Sequence, residues 1–232
     1  MVTMATKLLP EWSLFQGVSP DVLERLEQCG RVRALAKGEL IIQARQPQQD
    51  IYIQMTGKSM VYNLTHTGNR KILLIFGPGS LLNEHVLNFS DASTYCEAIE
   101  SGTAFAVPTS EFLRLMKEDF ALTCGVLAAQ ERKIWRLGHQ LKNTVGSIYL
   151  ERKLAAKLWK LARDFGIPGP DGIEIGVTLP VTMLADMLGA PRETTSRLCK
   201  RLVDHGLIRM TGKRIYIADP ERVSHFYKTG IY

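Results

Sequence analysis

No apolar run in this 232-residue sequence reaches the ~18 residues that a membrane-crossing helix needs. Met1 to Leu9 also lack the continuous apolar stretch of a secretory signal, so a cytoplasmic location without membrane contact is expected. Cysteine is scarce: Cys29, Cys96, Cys124 and Cys199 lie 67, 28 and 75 residues apart, and no CxxC pair exists to hold zinc or an iron–sulfur cluster. Buried free thiols are the expectation, with a redox role open for Cys29, Cys96 or Cys124 if one is exposed and electropositive. Gly77-Pro78-Gly79-Ser80 is only a tight turn, because no Gly-Lys-Ser/Thr comes after it to make a phosphate loop. Neither an internal repeat nor a low-complexity tract is present.

What is there is ordinary globular composition, 45% hydrophobic and 22% charged, and a chain of this length suggests two domains at roughly 100–150 residues each. The net charge of +6 is unevenly spread. Residues 1–146 hold 15 basic against 14 acidic side chains, whereas the remaining 86 hold 14 against 9. A basic excess confined to the last part is what contact with a polyanion such as nucleic acid requires.

Ser19-Pro20-Asp21 signals a first helix, with Ser19 able to cap it, and Leu14 and Phe15 just before it should pack on the elements after them. From Arg31 to Val107 the pattern shortens to β-rich runs at Leu40–Ile42, Ile51–Ile53, Met60–Tyr62, Ile72–Phe76 and Ala104–Val107. Glycine-rich turns punctuate them, as in an antiparallel β-roll or barrel. Between Ser110 and Val145 the period turns helical, with Leu127, Ile134, Leu137, Leu141, Val145 and Ile148 forming a coiled-coil-like seam. Spacing alone leaves two uses of that seam open: pairing with a second copy, or packing on the chain's own β-roll. Gly146-Ser147 breaks the helix and marks the hinge, giving a sensor at 1–109, a dimerisation helix at 110–146 and a C-terminal domain at 147–232. Within the last, Gly166 to Gly172 reads as loop and Ile173 to Leu179 as one or two short strands.

The informative segment is Val181 to Leu202, VTMLADMLGAPRETTSRLCKRL. It implies a short helix capped by Thr182, a sharp turn at Gly189, and a second helix opening at Pro191: helix-turn-helix spacing. Arg192, Glu193, Ser196 and Arg197 fall on the outer face of the second helix. Arg can bind guanine O6 and N7 bidentately, Glu can accept from cytosine N4, and Ser serves several base edges, so this set suits the major groove. Thr182, Thr194, Lys200 and Arg201 are expected at phosphates. Leu207–Met210 and Arg214–Ile217 flank Thr211-Gly212-Lys213 as a wing that brings Lys213 and Arg214 to the backbone.

With these residues, the chain resembles the Crp/Fnr superfamily of bacterial transcription regulators over nearly its whole length, most specifically at Arg192-Glu193-Thr194-Thr195-Ser196-Arg197. The resemblance implies an α+β protein: an N-terminal antiparallel β-roll like a cyclic-nucleotide-binding domain, a long dimerisation helix and a C-terminal winged helix-turn-helix. It also implies a homodimer reading a DNA palindrome with half-sites near TTGAT, through Glu193, Ser196 and Arg197, and RNA polymerase as a further partner. The Glu-x-x-Ser-Arg form is typical of the fumarate-nitrate regulator branch.

The resemblance further implies where an effector would sit. In cyclic-AMP-binding members a Gly-Glu holds the ribose and an Arg-Ser holds the phosphate; here Glu84 remains, but no arginine or lysine occurs between Lys71 and Arg114. A buried phosphodiester would lack a cationic partner, which disfavours cyclic AMP. Only Cys29 lies near the N-terminus, which disfavours an iron–sulfur cluster, and haem would depend on His85 or His139 alone. What remains is an unidentified small organic effector, aromatic or anionic, met by Asn83, Glu84, His85 and Tyr95 from the roll and Lys133, Trp135 or Leu137 from the helix. A cupin-like metal enzyme built on His66, Glu84 and His85 is the alternative from another class. It fails on chemistry, because neighbours on a strand point to opposite faces, so no metal site and no enzyme are expected.

Overall fold

The computed structural model describes residues 9–87, 91–141, 150–170 and 172–232. Gly146 and Ser147, the expected hinge, lie outside them, as do Val145 and Ile148 of the seam. Two compact units share the chain: Met1–Asn63 with Leu73–Gly138, and Leu64–Ile72 with His139–Tyr232.

In the first unit, short 3-10 turns at Leu9–Glu11 and Ser13–Phe15 lead into helix α1 (Pro20–Cys29). Ser19 stands at its N-cap, yet its side chain makes no capping bond; instead its backbone N–H donates to Asp119 Oδ2 at 2.9 Å. Seven strands come next: β1 (Arg31–Leu35), β2 (Leu40–Ile42), β3 (Asp50–Thr56), β4 (Ser59–Leu64), β5 (Arg70–Phe76), β6 (Tyr95–Ala98) and β7 (Gly102–Pro108). They make two sheets, ordered β1-β7-β3 and β2-β6-β4-β5, whose described pairings are antiparallel. Strands β1 and β6 do not show as apolar runs. In β1 the alternating arginines Arg31 and Arg33 hide the period, and β6 alternates half-buried Tyr95 and Glu97 with buried Cys96 and Ala98. Pairing partners, rather than intrinsic propensity, make both into strands.

Two helices close the unit, α2 (Thr109–Glu118) and α3 (Phe120–Leu141). The break falls at Asp119, whose carboxylate also accepts from Leu122 N at 3.1 Å, so one residue ends α2 and starts α3. Leu14, Phe15, Phe105, Phe112, Leu122 and Val126 are buried in the core joining the helices to β3 and β7. The two faces of α3 differ. Leu122, Val126 and Ala129 pack into that core and Leu137 packs against a second cluster in the roll, while Phe120 (78%), Leu127 (49%) and Ile134 (70%) are exposed at steps of seven.

In the second unit, helix α4 (Leu150–Phe165) buries Leu154, Ala155, Leu158, Leu161 and Ala162 along one stripe. Strands β8 (Gly166–Gly169) and β9 (Gly172–Ile175) come after it, then α5 (Val181–Leu188), α6 (Arg192–Asp204), β10 (Arg209–Thr211), β11 (Arg214–Ile217) and α7 (Pro220–Thr229). The sheet runs β10-β11-β9-β8. Its edge corrects the loop expected at Gly166 to Gly172: Gly166 pairs with Ile175 and Gly169 with Gly172. A side chain at Gly166 would strike the Ala162 carbonyl, so glycine here serves close approach to α4 and not looseness.

Gly125 in α3 offers a test of this packing. In an open helix Gly→Ala stabilises by ~1 kcal/mol, but a Cβ at Gly125 would overlap the Leu14 carbonyl oxygen. Gly125→Ala is therefore expected to destabilise by about 1–3 kcal/mol, read as a lowered Tm. A Tm raised by the propensity gain would show that the Leu14 segment yields.

Candidate nucleic-acid interface and sensor site

Helix α6 is built by two opposed faces. Thr195, Leu198, Cys199 and Leu202 are buried, whereas Arg192, Glu193, Ser196, Arg197 and Lys200 are exposed. Gly189 caps α5 in the left-handed conformation (φ 71°, ψ 42°), where only glycine is at ease, and this sharp reversal lets Pro191 start α6. Thr195 Oγ1 bonds back to the Pro191 carbonyl at 3.1 Å and anchors that first turn. Glu193 and Arg197 approach only to 3.9 Å and are 84% and 79% exposed, so both remain available to a ligand. Burial pushes the Cys199 thiol up to about 11, which keeps it neutral behind the exposed face.

The cap of α5 needs correcting. Pro180 stands at the N-cap and the helix starts at Val181, so exposed Thr182 lies inside the first turn and caps nothing. Arg201 has a partner close by. Its guanidinium pairs with Glu151 at 2.8 Å and contacts the Tyr232 hydroxyl at 3.4 Å. Glu151 is only 7% exposed, and a buried carboxylate without a cation would be badly desolvated, so this arginine neutralises Glu151 while its own side chain stays 59% exposed. Tyr232 completes the anchor, donating to Glu151 at 2.6 Å and stacking on His205 with ring centroids 3.5 Å apart.

The wing is a two-residue hairpin, with Thr211 paired to Arg214 across Gly212-Lys213. Lys213 and Arg214 are exposed at its tip, and Arg214 Nε lies 3.6 Å from Glu174. Thr194 is half-buried.

In the first unit the residues expected at an effector divide. Asn83 is fully buried and spent on the roll: it accepts from Tyr52 N at 2.7 Å and donates to Gln48 Oε1 and the Asp50 carbonyl at 2.5 and 2.9 Å. Its side chain is scaffold. Tyr95 stacks on Tyr62 with centroids 5.2 Å apart, and His85 Nε2 lies 4.0 Å from Glu84. Trp135 is 53% exposed, while Lys133 turns into the roll. There its ammonium donates to the Asn83 carbonyl at 2.6 Å and lies 5.3 Å from the Phe76 ring centre. Burial lowers Lys133 to about 8, and the nearby Glu84 carboxylate only partly opposes the shift. Gln130 is a site residue that the sequence alone does not single out: its amide donates to the Asn83 and Glu84 carbonyls at 3.3 and 3.1 Å. Its spacing of three from Lys133, which puts both on one helix face, is the available signal.

Cys96 is buried and pushed up to about 12 by desolvation, Cys29 is raised for the same reason, and Cys124 is exposed on α3. Neutral thiols at Cys29 and Cys96 oppose the redox alternative there. Among the described residues no group of His, Cys, Asp and Glu is placed to hold a metal, and no helix is long and apolar enough to cross a membrane.

Lys133 carries a pH signature. Its folded value lies below its unfolded value, so between about 8 and 10.5 the unfolded chain binds more protons and Lys133's contribution to stability rises with pH. Lys133→Met is expected to remove this rise, read as a smaller difference in Tm between pH 8 and 10.5 than in the parent protein. An unchanged pH profile would place the ammonium in solvent.

Residues 32–119 match the family model of the cyclic nucleotide-binding domain, and residues 152–226 match that of the Crp-like helix-turn-helix domain. The chain is 25% identical over 229 residues to a probable transcriptional regulator, flp, of Lacticaseibacillus casei, covering 97% of this chain and 99% of that protein. It is 22% identical over 219 residues to a CRP-like cAMP-activated global transcriptional regulator of Mycobacterium tuberculosis, covering 94% and 97%. A CooA mutant from Carboxydothermus hydrogenoformans shares the fold with a TM-score of 0.75 at 20% identity, covering 95% of each chain. FixK2 from Bradyrhizobium japonicum does so with a TM-score of 0.74 at 20% identity, covering 84% of this chain and 96% of that one. With an effector-binding type of roll joined to a DNA-binding type of helix-turn-helix, the chain belongs to the Crp/Fnr family of transcriptional regulators and is not an enzyme.

Proposed function

We propose that this regulator acts in the cytoplasm as a homodimer, inserts α6 of each subunit into the major groove of a palindrome with half-sites near TTGAT, and answers to RNA polymerase. The observation that carries this is the outward set on α6. Arg192, Glu193, Ser196 and Arg197 stand exposed together over a buried face. Lys200, Lys213, Arg214, Thr182 and Thr194 supply the contacts to phosphate, and Arg201 acts from behind by holding α6 to α4.

The exposed apolar side chains of α3, Phe120, Leu127 and Ile134, supply the contact with a second copy. A two-fold partner sets two recognition helices about one helical turn of DNA apart, as a palindrome demands. A hinge at Gly146-Ser147 would pass a change in helix pairing on to that spacing.

The effector of this reading is a small anionic or aromatic molecule held between Glu84, Tyr95 and Lys133. The Mycobacterium tuberculosis relative is described as cAMP-activated. Here the absence of any arginine or lysine between Lys71 and Arg114 argues for a different ligand. An effector shifts the balance of states only by its difference in affinity for them.

Two variants test the division of labour on DNA. Arg197→Ala is expected to cost ~1–3 kcal/mol of specific binding, whereas Lys213→Ala should weaken all sequences alike and flatten the salt slope by about one unit. Equal behaviour of the two on operator and random duplexes would contradict it. For the dimer, replacing Leu127 and Ile134 together by Glu is expected to give a monomer by sedimentation, with operator affinity lost. A variant that stays dimeric would move the interface elsewhere.

A further inference from the structure

Glu151 stands in the first turn of α4, on a different helix from the outward set of α6, and it is 7% exposed. Each of its carboxylate oxygens has its own partner. Oε1 accepts from the Tyr232 hydroxyl at 2.6 Å, and Oε2 lies 2.8 Å from Arg201 Nη2. Burial, with the carboxylate beside it, raises the Tyr232 hydroxyl above the ordinary phenol value, so it stays a donor. The Tyr232 ring stacks on His205 and Phe226, with centroids 3.5 and 4.5 Å apart. His205 is the C-cap residue of α6, and its carbonyl accepts from Arg222 at 3.0 Å. The carboxylate is therefore fixed to the scaffold that also fixes the end of the recognition helix.

Arg201 comes four residues after Arg197, so the two lie one turn apart along one side of α6. Its side chain is 59% exposed. Nη2 is bonded to Glu151 and Tyr232, whereas Nη1 and Nε have no partner among the described residues. A guanidinium is a rigid planar fork, so one that is held at Nη2 presents its remaining N–H groups in a set direction. Attraction to DNA of any sequence follows net charge, and a carboxylate in contact cancels that charge while leaving the open donors in place.

We propose that Glu151 is a specificity-determining residue of the DNA interface that acts through Arg201: it cancels the charge by which this guanidinium would attract any duplex, and it aims Nη1 and Nε at one phosphate of the matched duplex. The proposal deepens the DNA reading above and rests on it. Glu151 is a positioning residue and makes no contact with DNA itself. On the matched site the aimed fork bonds without further ordering. On other sequences, where the helix sits in a different register, the fork is misdirected and little charge remains to compensate. Specificity is a difference of affinities, and this device widens it by weakening the wrong complex.

The test measures binding of the full chain, over a range of salt, to a duplex carrying an inverted TTGAT repeat and to a scrambled duplex of the same composition. Glu151→Gln keeps the size of the side chain and an acceptor for Tyr232 but frees the guanidinium. It is expected to bind the scrambled duplex about three- to tenfold more tightly at low salt, with a salt slope steeper by about one unit. The gain on the repeat is smaller, so the ratio of the two affinities falls. Loss of a purely structural contact would instead lower both affinities and leave the slope alone. Glu151→Gln/Arg201→Gln, in which both charges are gone, is expected to return the slope on the scrambled duplex to the parent's. A folded Glu151→Gln with the parent's slope and ratio would overturn the proposal, as would a double variant that keeps the steeper slope. Tyr232→Phe, which removes only the hydroxyl, serves if Glu151→Gln does not fold: the ratio falls while the slope holds, and an unchanged ratio overturns the proposal. A parent protein that binds both duplexes alike overturns the DNA reading and the proposal with it. A parent that prefers the repeat, with variants that behave as it does, overturns the proposal alone.

Discussion

A recognition helix must be held from behind as firmly as it is polar in front, and α6 meets that constraint with four buried side chains, Thr195, Leu198, Cys199 and Leu202. A shift of one residue along the helix turns its faces by about 100°. That shift would bury Arg197 and expose Leu198. Burying an unpaired guanidinium costs several kcal/mol, which fixes the rotation of the helix and therefore which groups face outward. The pair of Glu151 and Arg201 adds a second anchor at the far end of α6, with the Tyr232 hydroxyl bonded to both. Part of the charge that composition alone assigns to nucleic acid is bonded within the fold, at Arg201 as at Arg152 and Arg222.

The sensor unit obeys similar logic with one helix serving two tasks. One face of α3 buries Leu122, Val126 and Ala129, and another exposes Phe120, Leu127 and Ile134. Gln130 and Lys133 stand among the inward residues and bond to the Asn83 and Glu84 backbone. A change in that loop therefore acts on the same helix that carries the exposed apolar face proposed to meet a second copy. Coupling of this kind needs no long chain of contacts, only a ligand whose affinity differs between two settings of the helix.

Much of this is legible in the sequence, and the parts that are not have physical reasons. Helix-turn-helix and wing are readable because glycine, proline and apolar spacing each have one economical solution there. The seam is readable as a seam but not as a direction. Periodicity reports that apolar residues share a helix face, not which neighbour covers it, and Leu137 turns to the roll while Leu127 and Ile134 do not. Strand β8 is hidden because Gly166 and Gly169 look like loop until β9 pairs with them. Thr182 resembles a cap, yet Pro180 already stands at the N-cap and the helix starts at Val181. The pairing of Arg201 depends on a carboxylate 50 residues earlier, and the four bonds from Ser93 and Thr94 on Glu84 depend on a loop that only folding brings back to it. Contacts of that range leave no periodic trace.

The central claim is that the outward side chains of α6 read DNA as a symmetric pair. Selection of bound duplexes from a random pool, with hydroxyl-radical footprinting of the winners, tests it most directly. The expected result is an inverted repeat related to TTGAT, with two protected patches on one face of the duplex about one helical turn apart. Recovery of sequences without two-fold symmetry, or a single continuous footprint indifferent to sequence, would contradict it.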